Sequence, residues 1–345
     1  MSIHELKRCK TAGRMSDETD AQVRGSPQAA DLHTSSAMTA AAVDPDAHPR
    51  VSVVMPVWRP RRDWLEEAVA SVLEQTGPSL ELVIVDDGNE TPVAELLAQF
   101  EDPRLRVVRL AHVGLSAGRN AGVAGARGEY VRFFDCDDMM PPGSTARLFE
   151  LMDGRQDRIA YGASLVCDES LKPRWRMSTA QQGDAIRDSL FASFNVRPGG
   201  LMFPRSLLLQ APFDTRFTVA EDWDQMQRAL ELASVRGTRE VVHLYRRHPT
   251  SATADIEAGM RASRLIVAAY FERHPEQRNT RLERQALAFL DAMAARIYAT
   301  HGRRRAAARH LLRGLRRDPL CWRHEWPQVR SVIAGRLARA MGREP

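Results

Sequence analysis

Gly128-Glu-Tyr-Val-Arg-Phe-Phe-Asp-Cys-Asp-Asp138 decides the fold. Tyr130 to Phe134 is a short apolar run, fit for a buried strand, and it stops abruptly at Asp135, Asp137 and Asp138. The same grammar recurs upstream. Val51-Ser-Val-Val-Met-Pro-Val57 is a first apolar run, and Leu80 to Val85 is a second, which stops at Asp86-Asp87-Gly88. Leu105 to Leu110 is a third. Between them lie helical periods. Leu65, Ala68, Val69, Val72 and Leu73 fall on one helix face, and Val93 to Phe100 reads as helical. Ser116 is placed to cap a helix running to about Ala126, with Gly128 near its end.

Strand and helix in alternation predict an α/β protein with a mostly parallel sheet and right-handed crossovers. In such sheets ligands sit at the carboxyl ends of the strands. Those ends carry Pro56-Val57-Trp58, Asp86-Asp87 and Asp135-Cys136-Asp137-Asp138. The pattern lines carboxylates along one edge, which core packing does not require.

Working outward, Ser144 to Met152 reads as a helix, Ile159 to Val166 as a strand, and 168–198 as less regular. Ala220-Glu-Asp-Trp-Asp224 leads into a helix, and Glu240 to Arg246 is another strand. From Ala258 the chain reads as three or four amphipathic helices, with Leu282, Ala286, Leu290, Met293 and Ile297 near one face of one of them. Residues 1–48, rich in Ala, Ser, Thr and Asp without a sustained period, are expected to be disordered. The expected division is therefore 1–48 as an extension, 49–255 as the α/β domain and 256–345 as an Arg-rich helical region.

Composition narrows the function. The chain has 345 residues, 43% apolar and 27% charged, the balance of a globular protein. No apolar stretch is long enough to span a membrane, and the first 20 residues lack the apolar core of a secretory signal. Its 4 cysteines include no C-x-x-C pair, which argues against a structural zinc site or a disulfide framework. A cytoplasmic location is expected. The net charge of +5 is uneven: residues 301–345 hold 12 Arg against Asp318, Glu325 and Glu344, so the rest of the chain is acidic. Such a tail reads as a solvated face or as a peripheral contact with an anionic membrane at its inner face. With only Trp322 and Trp326 interleaved there, nucleic acid is not the expected partner.

The strand-end residues carry recognisable chemistry. Two carboxylates flanking one residue can share a hard divalent ion, Mn²⁺ or Mg²⁺, although a bare D-x-D also reads as a solvated acidic turn. Asp87 can accept an N–H from a nucleobase edge, or simply close a turn, and Trp58 can stack on the same base or fill the core.

Taken in order, the segments resemble the catalytic domain of family-2, GT-A-fold, inverting glycosyltransferases. The resemblance runs through Val51 to Trp58, Ala68 to Thr76, Glu81 to Gly88, Gly114 to Gly122, Gly128 to Asp138, Phe213-Asp214, Glu221-Asp222-Trp223 and Tyr245 to His248. It implies a nucleotide-sugar donor, a UDP-sugar first among them, and an acceptor hydroxyl on a glycan, a lipid-linked glycan or a protein. It also implies roles. Asp87 holds the pyrimidine N3–H, Pro56 and Trp58 line base and ribose, and Arg119 with Asn120 frames the nucleotide. Asp135 and Asp137 bind the metal with His248 as a further contact, and Asp222 is the general base of a hexosyltransferase-type reaction. Trp58-Arg59 and Asn89-Glu90 depart from the family pattern. Without a Q-x-x-R-W motif or membrane helices the enzyme is expected to be non-processive. An aspartyl-phosphate hydrolase is disfavoured, because Met139 follows Asp138 and only Lys172 lies downstream. The remaining alternative is a binding module on this fold that has lost catalysis, with a basic tail contacting nucleic acid or an anionic membrane. Phe194 to Pro204, with Asn195 and Gly199-Gly200, is expected near the acceptor.

Overall fold

The computed structural model describes residues 48–178, 181–191, 196–248 and 256–320. The extension expected to be disordered, Asn195, and the tail with Trp322 and Trp326 lie outside the described residues. The sheet comprises β1 (Val51–Val57), β2 (Leu80–Asp86), β3 (Leu105–Arg109), β4 (Tyr130–Phe133), β5 (Arg158–Cys167), β6 (Pro173–Met177), β7 (Leu201–Pro204) and β8 (Ser234–Arg246). Its order is β3-β2-β1-β4-β7-β5-β6, with β8 also paired to β5. β3, β2, β1 and β4 are mutually parallel, and β7 enters antiparallel between β4 and β5. The chain leaves β1 towards β2 on one side and returns to β4 on the other. Such a reversal opens a crevice at the strand ends.

Helices cover both faces. They are α1 (Arg62–Leu73), α2 (Val93–Leu96), α3 (Leu115–Gly125), α4 (Ser144–Met152), α5 (Ile186–Leu190), α6 (Arg205–Gln210) and α7 (Glu221–Leu230). β1 is buried along its whole length because it faces two cores. Val53 and Met55 pack towards α1 and α4, and Val54 towards α3 and α7. α1 buries Leu65, Ala68, Val69 and Val72, the face read from its period. α3 lies unusually close to the sheet: a Cβ on Gly122 would stand 2.3 Å from Val54 Cγ1.

Local detail departs from expectation in four places. α2 ends at Leu96 rather than near Phe100, and the turn into β3 is set by Asp102, whose carboxylate accepts Arg104 N at 2.9 Å. α3 begins after Gly114, so Ser116 is not its cap; the Ser116 hydroxyl instead donates to Phe217 O at 3.1 Å. Gly128 does not close α3 but gives its N–H to Ser52 Oγ at 2.8 Å. The stretch read as irregular holds β6 and α5. β6 is an exposed edge of alternating Arg and Trp with no apolar face to announce it.

Beyond the sheet, α8 (Ile256–Arg273), α9 (Arg281–Thr300) and α10 (Arg304–Arg317) form a helical extension. Phe271, Phe289 and Leu290 pack with Leu190 and Phe191 of the α5 region. Buried Asp291 on α9 draws in Arg264, His310, Arg313 and Arg317, which ties the three helices together. Among the described residues no helix is long and apolar enough to cross a membrane.

Candidate active site

The paired ends of β1 and β2 place Asp86 and Asp87 together, but they do different work. Asp86 turns into the scaffold. It accepts Asn89 N at 3.0 Å, Asn89 Nδ2 at 2.7 Å and Val93 N at 3.1 Å, and pairs with Arg109. Burial alone would raise its pKa; these donors hold it below its ordinary value. Asp87 faces the loop before α3, accepting Val113 N at 2.7 Å and Gly114 N at 3.0 Å. Oδ1, which accepts Val113 N, keeps a second lone pair for a further donor. Gly88 permits this approach, with φ +78° and room for no Cβ, which would meet His112 N at 2.7 Å.

Trp58 is 40% exposed and stacks on His112, ring centroids 3.9 Å apart and planes 21° apart. His112 Nδ1 lies 2.9 Å from Asp87 Oδ2. An aromatic pair thus stands beside the acceptor carboxylate. Sequence reading missed His112, for a lone histidine in a loop carries no periodic or motif signal. Pro56, expected to line the ligand, is buried within β1 opposite Val85 and beneath Gly118 of α3, so it shapes the pocket from behind.

The loop after β4 sorts its carboxylates in the same way. Asp138 is buried, 2.7 Å from His243 Nε2 and accepting Arg246 N at 2.8 Å, while His243 Nδ1 reaches Ser164 Oγ at 3.0 Å. Arg246 also donates to Asp137 O at 2.8 Å and to Glu67. β8 therefore holds the acidic loop by side chain and backbone together. Asp135 and Asp137 remain partly open, their side chains 36% and 31% exposed. Burial and the neighbouring Asp138 and Asp135 push Asp137 up to about 6, and His248, 2.7 Å away, pulls it back. The same burial and carboxylates push the Cys136 thiol well up.

Of the three crowded carboxylates only Asp135 meets an arginine, Arg119, while Asp137 and Asp138 face histidines, and such a crowd favours an added positive charge. Among the described residues no three His, Cys, Asp or Glu side chains converge into a closed metal site. Mg²⁺ and Mn²⁺ do not need one, since they commonly take one or two carboxylates and fill the shell with phosphate oxygens and water. Asp135 and Asp137 fit that pattern, with His248 beside them.

Arg119, expected to frame the nucleotide, is instead buried between the two acidic groups of the site. It donates to Glu221 at 2.8 Å and to Asp135 at 3.2 Å, and its guanidinium lies over Phe213 at 5.2 Å and Phe133 at 5.8 Å. Asn120 likewise faces inward, exchanging 2.8 Å bonds with Phe213 N and O. These contacts fix the segment leading to Asp222. Burial and Asp222 raise the pKa of Glu221 against the pull of Arg119. The sequence neighbours of Glu221 give no sign of this distant arginine. Ala220 before it is held at φ +58°, a costly conformation for a residue with a Cβ. Asp222, in the first turn of α7, lines a small recess with Val196, Pro198, Phe213 and Gln225. The segment expected near the acceptor thus does reach Asp222. Gly199 has a scaffold reason of its own: a Cβ there would stand 2.6 Å from His243 Nε2.

A doubly covered sheet with a carboxylate crevice at its strand-order reversal, extended by helices, defines the GT-A class. Residues 52–217 match the family model described as glycosyl transferase family 2. The protein y4gI of Sinorhizobium fredii is 29% identical over 61% of this chain and 24% of its own length. The succinoglycan biosynthesis protein ExoO of Rhizobium meliloti is 34% identical over 33% of each chain. These matches span about a quarter to a third of the relatives' lengths. Among solved structures, residues 1–349 of TarS from S. aureus align at TM-score 0.54 with 18% identity, covering 73% of this chain and 74% of that one. TarS 1–349 in complex with UDP-GlcNAc aligns at TM-score 0.53 with 16% identity, covering 76% and 89%.

Proposed function

We propose that this chain is a metal-dependent inverting glycosyltransferase that moves a hexose-type sugar from a nucleoside diphosphate to a hydroxyl, in glycan or polysaccharide biosynthesis. A UDP-sugar is the first choice of donor, in keeping with the UDP-GlcNAc held by TarS. The acceptor class is a glycan, free or lipid-linked, or a protein, and the name of ExoO supports the polysaccharide setting.

The observation that carries this reading is the buried Arg119, which joins Asp135 to Glu221, the neighbour of Asp222. One residue thereby fixes the distance from the diphosphate end to the proposed base. Asp87 accepts the base N–H while Trp58 and His112 flank the ring. Asp135 and Asp137 hold a divalent cation, which when bound offsets the negative charge growing on the leaving diphosphate. Asp222 takes the proton of the acceptor hydroxyl as that oxygen attacks the sugar carbon from the face opposite the diphosphate. A single displacement inverts the anomeric centre. The test is a thermal-stability screen of nucleotide sugars with and without Mn²⁺. A shift seen with one donor only in the presence of metal is expected. Equal shifts in chelator would contradict the metal role, and no shift with any nucleotide sugar would contradict the donor class.

A further inference from the structure

α10 is built inside out. The side that meets α9 carries the small residues Ala306, Ala307 and Gly314, flanked by Leu315 against Ala288 and Ala292 and by His310, Arg313 and Arg317 reaching Asp291. Leu311 and Leu312 are 42% and 57% exposed. Arg305, Arg309, Leu312 and Arg316 follow at spacings of four, three and four, which makes one stripe along the outer surface. Leu315 packs against α9, whereas Leu312 stands outward among guanidinium groups.

The charge on that stripe is not answered by the protein. Arg303 pairs with Glu257, and Arg313 and Arg317 with Asp291. Arg304, Arg305, Arg309 and Arg316 make no ion pair among the described residues, and no acid occurs between His301 and Arg317.

We propose that the outer face of α10 docks on an anionic lipid bilayer, with Arg305, Arg309 and Arg316 at the headgroup phosphates and Leu312, on the same stripe, entering the acyl boundary. Arginines set beside leucines suit that interface, since the stems lie along apolar surface while the charged heads stay with the phosphates. A nucleic acid would use the arginines alone and leave the leucines in water, and α10 offers no aromatic platform for bases. The inference does not depend on the catalytic reading, because docking requires no turnover.

Flotation of the full chain with vesicles tests it, comparing phosphatidylcholine with mixtures containing phosphatidylglycerol. Binding is expected to the anionic vesicles only. Each basic residue near such a surface contributes about fivefold in affinity, so R305Q/R309Q/R316Q together should weaken binding by about a hundredfold. Leu312→Asp, which keeps every arginine, should also weaken it, and unchanged melting temperatures would show that the fold survives. Three results would overturn the proposal: equal flotation with neutral vesicles, anionic binding that ignores both variants, or loss of binding in the arginine variant but not in Leu312→Asp together with equally tight retention on duplex DNA.

Discussion

Arg119 and Asp222 separate two kinds of importance. Asp222 is partly exposed at the first turn of α7, and its removal leaves no buried partner unpaired. Asp222→Asn is therefore expected to keep the melting temperature and to keep nucleotide affinity within about a few-fold, while nucleoside diphosphate release with a competent acceptor falls by about 10²–10⁴-fold. Near-normal turnover would move the base elsewhere. Arg119 is different. It is 2% exposed, and it balances Asp135 and Glu221 at once. Arg119→Met leaves two carboxylates without their cation, and breaking buried pairs of this kind costs about 3–5 kcal/mol. A urea melt should show a loss of that size, and a stability change under about 1 kcal/mol would mean that the bridge is not formed.

At the element scale, Glu81 shows how β1, β2 and α3 are locked together. It is 1% exposed and accepts Ser52 Oγ at 2.7 Å, Arg127 N at 2.6 Å and Arg106 Nη1 at 2.8 Å. Burial pushes its carboxyl up, but those donors win and hold it below its usual 4.5. A depressed folded pKa contributes stability above the unfolded value that is lost as pH falls through the folded one. Melting temperature should therefore drop more steeply below pH 4.5 in the natural protein than in Glu81→Gln, and parallel pH profiles would refute the role. The same elements show what was legible. Apolar runs of the right length gave β1, β2 and β4, and a 3.6 period gave the buried face of α1, because burial imprints itself on local sequence. β6 left no such imprint, since its side chains face solvent. The motif spacing pointed to Asp87, Asp137 and Asp222, but it could not tell that Arg119 and Asn120 face inward. Their partners, Glu221 and Phe213, lie about a hundred residues away.

Across the whole molecule, a parallel half-sheet supplies strand-end carboxylates, and β8 and α7 close the crevice from the other side. The acidic loop after β4 is gripped by Arg246 and His243, so Asp135 and Asp137 are presented without moving parts between them and the scaffold. The helical extension is joined through Asp291 and exposes arginines that the crevice does not use. In the proposed mechanism Asp135 and Asp137 form the metal-assisted diphosphate site, and Asp222 lies outside it. Calorimetric titration of UDP into the protein in Mn²⁺ measures this directly, on the natural chain, Asp137→Asn and Asp222→Asn. Binding that is lost in EDTA and in Asp137→Asn, yet retained in Asp222→Asn, is the predicted result. UDP binding indifferent to both EDTA and Asp137→Asn would contradict the account.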